Sequence, residues 1–368
     1  MQTLIISCLV VLISFPSLCI ADHLSNKSDA EALKMHKYRL DLMPTKFQTQ
    51  IIPSSPFPGI TVPITNTYPA IREAINNSNL LSVMYFDGES IRANELDQNN
   101  LTPAQRMYSM SISKSFVGYL VGHALCDGFL LSLDDPIHKY VPETIGTVYE
   151  GVPLQDMVNM SAGDSEFFGG RQSINEYARP ILADHRSIKS FLEESRGKRR
   201  KEKAGFRYSN MITDLVARAI DVVTPKGFAE YFFEKIVMRG NFTSETMYFK
   251  DKNNWGILFA FLYASRNDYL SFGQLIANDW NSNNCSGAVL KTFYNNRVPT
   301  GKKLTGSSYR SYGGFFWTDK EDFNFRHLSM LGHGGQRVIV NLDSGSVLTM
   351  HAIRNNFSTT KIEGIFLR

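Results

Sequence analysis

The chain has 368 residues, of which 43% are apolar and 20% charged, and its formal net charge is +4. That length can bury a large core in one or two domains, and the composition is that of an ordinary globular protein. So small a positive excess argues against nucleic acid or an anionic membrane surface as partner.

Residues 4–15 are apolar but too short to span a bilayer. Pro16 follows, and Cys19 and Ala21 put small residues where a signal peptidase reads. Residues 1–21 are therefore expected to be a secretory signal cleaved after Ala21, although no Lys or Arg precedes the run. The competing reading is a buried N-terminal strand or helix. Cleavage leaves one domain, 22–368, periplasmic or secreted, with no stable membrane anchor. It also removes Cys8 and Cys19, so that Cys126 and Cys285 remain. Two cysteines make neither a disulfide framework nor a metal set, and Cys126 sits in an apolar helical pattern. A buried thiol is expected there rather than a bridge.

Residues 22–60 read as a polar arm. Thr67–Asn79 reads as a short helix, and Leu80–Phe86 as a strand closed by the Asp87-Gly88 turn. From Ser111 to Cys126, apolar residues recur at helical spacing until Asp127-Gly128, which predicts a buried central helix with a glycine cap. Further helices are expected at Leu154–Met160, Ser187–Glu194, Met211–Val222 and Asn267–Asp279. The run Arg196-Gly-Lys-Arg-Arg-Lys-Glu-Lys203 reads as a solvated loop rather than a nucleic-acid patch. Strands are expected at Tyr312–Thr318, Arg337–Leu342 and Ser346–Ile353, with a helix running to Arg368. Strands at both ends around a helical middle imply an α+β fold whose sheet joins the chain ends. The mainly helical stretch, about 150–300, would be an insertion beside it.

A serine three residues before a lysine, at a helix start, places a hydroxyl and an ammonium on one face. The lysine can activate the otherwise weak serine nucleophile. Ser-x-x-Lys occurs at Ser111/Lys114, Ser195/Lys198 and Ser358/Lys361, and only the first opens a buried helix. Tyr-x-Asn occurs at Tyr208/Asn210 and Tyr294/Asn296, and the first of these precedes a helix. A (Lys or His)-x-Gly triplet occurs at Lys203/Gly205 and at His333/Gly335, the latter just ahead of a strand. For Ser111 the bland reading is a helix N-cap, for Tyr208 a buried tyrosine, and for His333 a turn or core residue. The other seven histidines show no paired spacing, so neither a metal nor another cofactor is expected.

In order, Ser111-Ile-Ser-Lys114, Tyr208-Ser-Asn210 and His333-Gly-Gly335 resemble the motif set of the serine β-lactamase and penicillin-binding-protein superfamily. Asp127-Gly-Phe-Leu130, Leu133-Asp-Asp-Pro136, Val141-Pro142 and Asn159-Met-Ser-Ala-Gly163 extend the likeness over roughly residues 80–355. It is greatest to the class C branch, with its esterases and 6-aminohexanoate-dimer hydrolases. The resemblance implies a β-lactamase/transpeptidase-like fold and acylation of Ser111 by a small-molecule amide, ester or peptide. It makes Lys114 and Tyr208 the base pair, with the proton unapportioned. The Lys114 charge would pull down either the Tyr208 pKa, from about 10, or that of Ser111. Asn210 would donate to the substrate amide or orient Lys114, His333 and Gly335 would line the cleft from a strand edge, and the amides of Ser111 and Gln336 would hold the oxyanion. Gly332-His-Gly is an alternative register for the third motif. A histidine where many members carry Lys-Thr-Gly favours a promiscuous esterase or amidase over a dedicated β-lactamase. A catalytically silent sensor that acylates and stalls is the rival reading.

Overall fold

The computed structural model describes residues 48–367, apart from 60–61, 66–67, 77–79, 100, 165–176, 178–180, 182–185, 202–203, 302–307 and 354–356. The expected signal segment and most of the polar arm lie outside the described residues. In chain order the elements begin β1 (Gln48–Ile52), α1 (Pro69–Asn76), β2 (Leu80–Phe86), β3 (Ile91–Leu96), β4 (Arg106–Tyr108) and α2 (Ile112–Cys126). Then come α3 (Leu154–Val158), α4 (Ile188–Glu194), α5 (Asn210–Val223) and α6 (Gly227–Phe232), followed by β5 (Thr246–Lys250) and β6 (Gly256–Ser265). After these run α7 (Arg266–Asn281), α8 (Cys285–Asn295), β7 (Val298–Pro299), β8 (Tyr309–Gly313) and β9 (Phe316–Lys320). The chain closes with β10 (His327–Gly332), β11 (Gln336–Asn341), β12 (Val347–Ala352) and α9 (Phe357–Phe366).

The main sheet has eight antiparallel strands in the order β3-β2-β12-β11-β10-β9-β8-β7. Early β2 therefore pairs with late β12, with Leu348 opposite Tyr85, so the sheet joins the two ends of the chain as expected. The reading of Tyr312–Thr318 as one strand misses a hairpin. Gly314 and Phe315 both have positive φ, 60° and 67°, which is the backbone of a tight turn between β8 and β9.

The middle of the chain is mainly helical, but it also contributes β5 and β6 to a second sheet, ordered β1-β5-β6-β4. Strand β6 is the apolar run Gly-Ile-Leu-Phe-Ala-Phe-Leu-Tyr-Ala-Ser, buried from its second residue to its last. Burial on both faces removes the alternation that marks a half-exposed strand, which is why the sequence does not announce it.

Helix α2 lies between the sheets and is buried from Ile112 to Ala124. Phe116 stacks on Phe272 at 3.8 Å, and Ser115 donates to the Phe315 carbonyl at 2.7 Å. A Cβ on Gly118 would stand 2.1 Å from the Gly314 carbonyl oxygen, so glycine is what admits the β8–β9 turn to the helix surface. Beside Gly118, Tyr119 donates to Asp279 at 2.6 Å, and Arg239 pairs with the same carboxylate at 2.7 Å. Gly128, at φ 76°, takes up the chain after the helix as the cap reading expected.

Cys126 and Cys285 form a disulfide, which corrects the expectation of a buried thiol. Helical periodicity placed Cys126 at the end of α2 but carried no information on what α8 brings to it. Cys285 opens α8, and its Cα comes within 5.8 Å of that of Cys126.

Candidate active site

Strand β4 pairs with β6, Tyr108 opposite Tyr263, and delivers the chain to the start of α2. Ser109 locks this approach. Its amide donates to the Leu262 carbonyl at 2.9 Å, and its hydroxyl donates to the Ala260 carbonyl at 2.9 Å. Met110 then takes φ 47°, a conformation costly for a side chain other than glycine, of order 1–3 kcal/mol. That bend presents Ser111 at the helix start, partly exposed, and its hydroxyl caps no helical amide. The N-cap reading of the Ser111 side chain therefore fails. The amides of Ile112, Ser113 and Lys114 turn back onto the carbonyls of Ser109, Met110 and Ser111.

Lys114 is 1% exposed, and its Nζ stands 3.2 Å from Ser111 Oγ while also donating to the Phe259 carbonyl of β6. Burial disfavours the ammonium and lowers its pKa to about 7, although the neighbouring Asp214 carboxylate pulls the other way. Asp214, on α5, accepts from the Leu258 and Phe259 amides at 2.7 and 2.9 Å and from Tyr177 at 2.7 Å. Burial raises the Asp214 pKa strongly against those hydrogen bonds and the Lys114 charge. Sequence reasoning missed Asp214. Its one signal was position, since it lies four residues after Asn210 and so on the same helix face.

The Tyr208 hydroxyl neighbours Ser111, and the ring lies 5.0 Å from Lys114 Nζ. The expectation that the lysine charge lowers the phenol pKa is not met. Burial pushes it above its usual value, and the neighbouring Ser111 only tempers the rise. The approach to Tyr208 is clamped on both sides. Arg207 donates its amide to the Met160 carbonyl at 2.7 Å, and Ser209 donates to buried Asp164 at 2.9 Å. Trp317 of β9 stacks on the Tyr208 ring at 5.8 Å, adding an aromatic wall that no sequence motif marked. Asn210 begins α5 and is buried.

His333, Gly334 and Gly335 form the turn between β10 and β11 rather than a strand edge, with φ of 81° and 90° at the two glycines. The turn follows Gly332, where a Cβ would meet the Ser109 carbonyl oxygen at 2.5 Å, so β10 ends against the bend before Ser111. Gln336 opens β11 opposite Gly332. Its buried side chain donates to the Ala352 and Gly334 carbonyls at 2.6 and 3.2 Å, tying the turn to β12. Among the described residues no group of three His, Cys, Asp or Glu side chains could hold a metal ion.

The geometry joins a hydroxyl, a buried amine of depressed basicity and a protonated phenol, which can relay a proton around an acyl transfer. The Beta-lactamase family profile matches residues 82–361. A Bacillus anthracis protein described as a 6-aminohexanoate-dimer hydrolase superposes with a TM-score of 0.69 at 16% identity, over 90% of this chain and 92% of its own. The D-amino acid amidase from Ochrobactrum anthropi SV3 gives 0.62 at 17% identity, covering 81% and 98%. The class C β-lactamase from Rhodobacter sphaeroides gives 0.56 at 15%, covering 81% and 96%. No curated protein matches the chain by sequence. The chain has the β-lactamase/transpeptidase-like fold and belongs to the β-lactamase family of serine hydrolases.

Proposed function

We propose that the protein is a secreted or periplasmic serine hydrolase that cleaves a small amide, ester or peptide through an acyl-Ser111 intermediate. The observation that carries this reading is Lys114 Nζ, 3.2 Å from Ser111 Oγ with its pKa lowered to about 7. A neutral amine there can take the serine proton at physiological pH, whereas an ordinary lysine remains an ammonium. Tyr208, pushed the other way, stays protonated and is suited to deliver a proton to the leaving group. Ser111 Oγ attacks the carbonyl carbon as its proton passes to Lys114. The amides of Ser111 and Gln336 hold the oxyanion, each donor worth about 3 kcal/mol. The C–N or C–O bond then breaks with protonation through Tyr208, and water releases the acid by the reverse relay. Asn210 orients the substrate or Lys114, and His333 and Gly335 border the cleft from the turn. With histidine at the position of the usual lysine, an esterase or amidase fits better than a dedicated β-lactamase.

The test is hydrolysis of p-nitrophenyl acyl esters and nitrocefin by the purified protein beside Ser111→Ala. Ester turnover lost in the variant is the expected outcome. Equal turnover by both proteins overturns the assignment, and stoichiometric labelling of Ser111 without release would identify an acylated sensor.

A further inference from the structure

The basic run between α4 and Tyr208 takes no part in this chemistry. After α4 the chain turns through Ser195–Gly197, with Gly197 at φ 74°, and Lys198–Lys201 has neither helix nor strand structure. Arg196 is engaged, paired with Glu193 at 2.7 Å and donating to the Ile145 carbonyl at 2.6 Å. The next four cations differ. Lys198, Arg199 and Lys201 are exposed, and Arg200 is half-buried, reaching the Gly151 carbonyl at 3.5 Å. Among the described residues no carboxylate pairs with any of the four. The backbone is tethered at the Lys198 amide, which donates to Ser195 at 3.1 Å, and at the Lys201 amide, which donates to Gly163 at 3.0 Å. Arg199, exposed, and Arg200, half-buried, lie between those tethers, a paired basic sequence on backbone with neither helix nor strand structure. Exposed segments of this kind are where endoproteases act, because the protease needs an extended stretch free of competing structure.

We infer that the peptide bond after Arg199 or Arg200 is a processing site for an endoprotease that reads paired basic residues. Water adds across the bond, leaving a carboxylate on Arg199 or Arg200 and a new amino terminus on Arg200 or Lys201. The cut falls between Cys126 and Cys285, so the disulfide keeps the two pieces covalently joined. Ser111 and Lys114 would lie on one piece and Tyr208 on the other. The Arg207-to-Met160 and Ser209-to-Asp164 hydrogen bonds run from the second piece to the first, so both clamps on Tyr208 survive the cut. The product is a two-chain, disulfide-linked form of the same fold, and the inference stands whether or not Ser111 is a nucleophile.

The experiment is incubation of the purified full chain with a protease specific for paired basic residues, beside the variant K198Q/R199Q/R200Q. Native protein is expected to be cut once, to migrate as one species without reductant and as two with it, and to yield a new chain starting at Arg200 or Lys201. The variant, with an unshifted melting temperature, is expected to lose at least about tenfold in cleavage rate, the loss of about 1.4 kcal/mol of barrier lowering. A native chain left intact while the urea-unfolded chain is cut overturns the inference. So does a first cut elsewhere, or separation of the pieces without reductant. The amino-terminal sequence of the wild-type product decides the site even if the variant folds poorly.

Discussion

Lys114 and Asp214 face each other across the β6 backbone at Leu258 and Phe259, and each is held away from its usual protonation behaviour by burial. The sign of the consequence follows from which form reacts. Only neutral Lys114 accepts a proton, so kcat/KM for ester hydrolysis should rise with pH through about 7, the pKa to which burial lowers the lysine. Asp214 stabilises the ammonium, which raises that value. Asp214→Asn removes the charge and should move the rising limb to lower pH, as a kcat/KM profile of the variant would reveal. An unmoved limb would mean that the titrating group is not Lys114. Tyr208→Phe keeps the ring against Trp317 but removes the hydroxyl proposed to deliver the proton. It should lower kcat by about a hundredfold or more while leaving the melting temperature nearly unchanged.

Helix α2 is held at its middle and at its C-terminal end by devices of different kinds. Within a helix, Gly→Ala ordinarily stabilises by about 1 kcal/mol. Gly118→Ala should do the reverse, because its Cβ would stand 2.1 Å from the Gly314 carbonyl oxygen, a backbone atom that cannot swing aside. A destabilisation of about 1–3 kcal/mol in urea unfolding is expected, the usual range for overpacking. At the C-terminal end the disulfide spans 159 residues of sequence. Cys285→Ser should cost about 2–5 kcal/mol, with most of the effect arising in the unfolded chain, whose entropy the crosslink restricts. Denaturant titrations of oxidised and reduced wild-type protein should show the same difference. A reduced protein as stable as the oxidised one would remove the disulfide from the list of structural supports.

At the scale of the whole molecule, β12 is an interior strand, lying between β2 and β11. A chain ending at residue 343 would lose it and leave β2 and β3 detached from the rest of the sheet. Such a truncation should give no cooperative thermal transition by circular dichroism, whereas loss of a surface element would only shift the midpoint.

What the sequence determined by itself is what local chemistry enforces. Helical spacing from Ile112 onward, the glycine after Asp127, and the apolar runs and turn residues at Leu80–Phe86 and in the last two strands all act over a few residues. They placed Ser111 and Lys114 one turn apart and put β2 and β12 at opposite ends of the chain. Tertiary structure alone decided what depends on contacts across distant segments. Strand β6, silent because it is buried on both faces, anchors Ser109, accepts from Lys114 and links it to Asp214. Desolvation by that surrounding core, invisible to a motif, is what pushes Lys114 down and Tyr208 up. The same holds for Cys126 and Cys285, because the meeting of two helix ends is a property of packing and not of spacing.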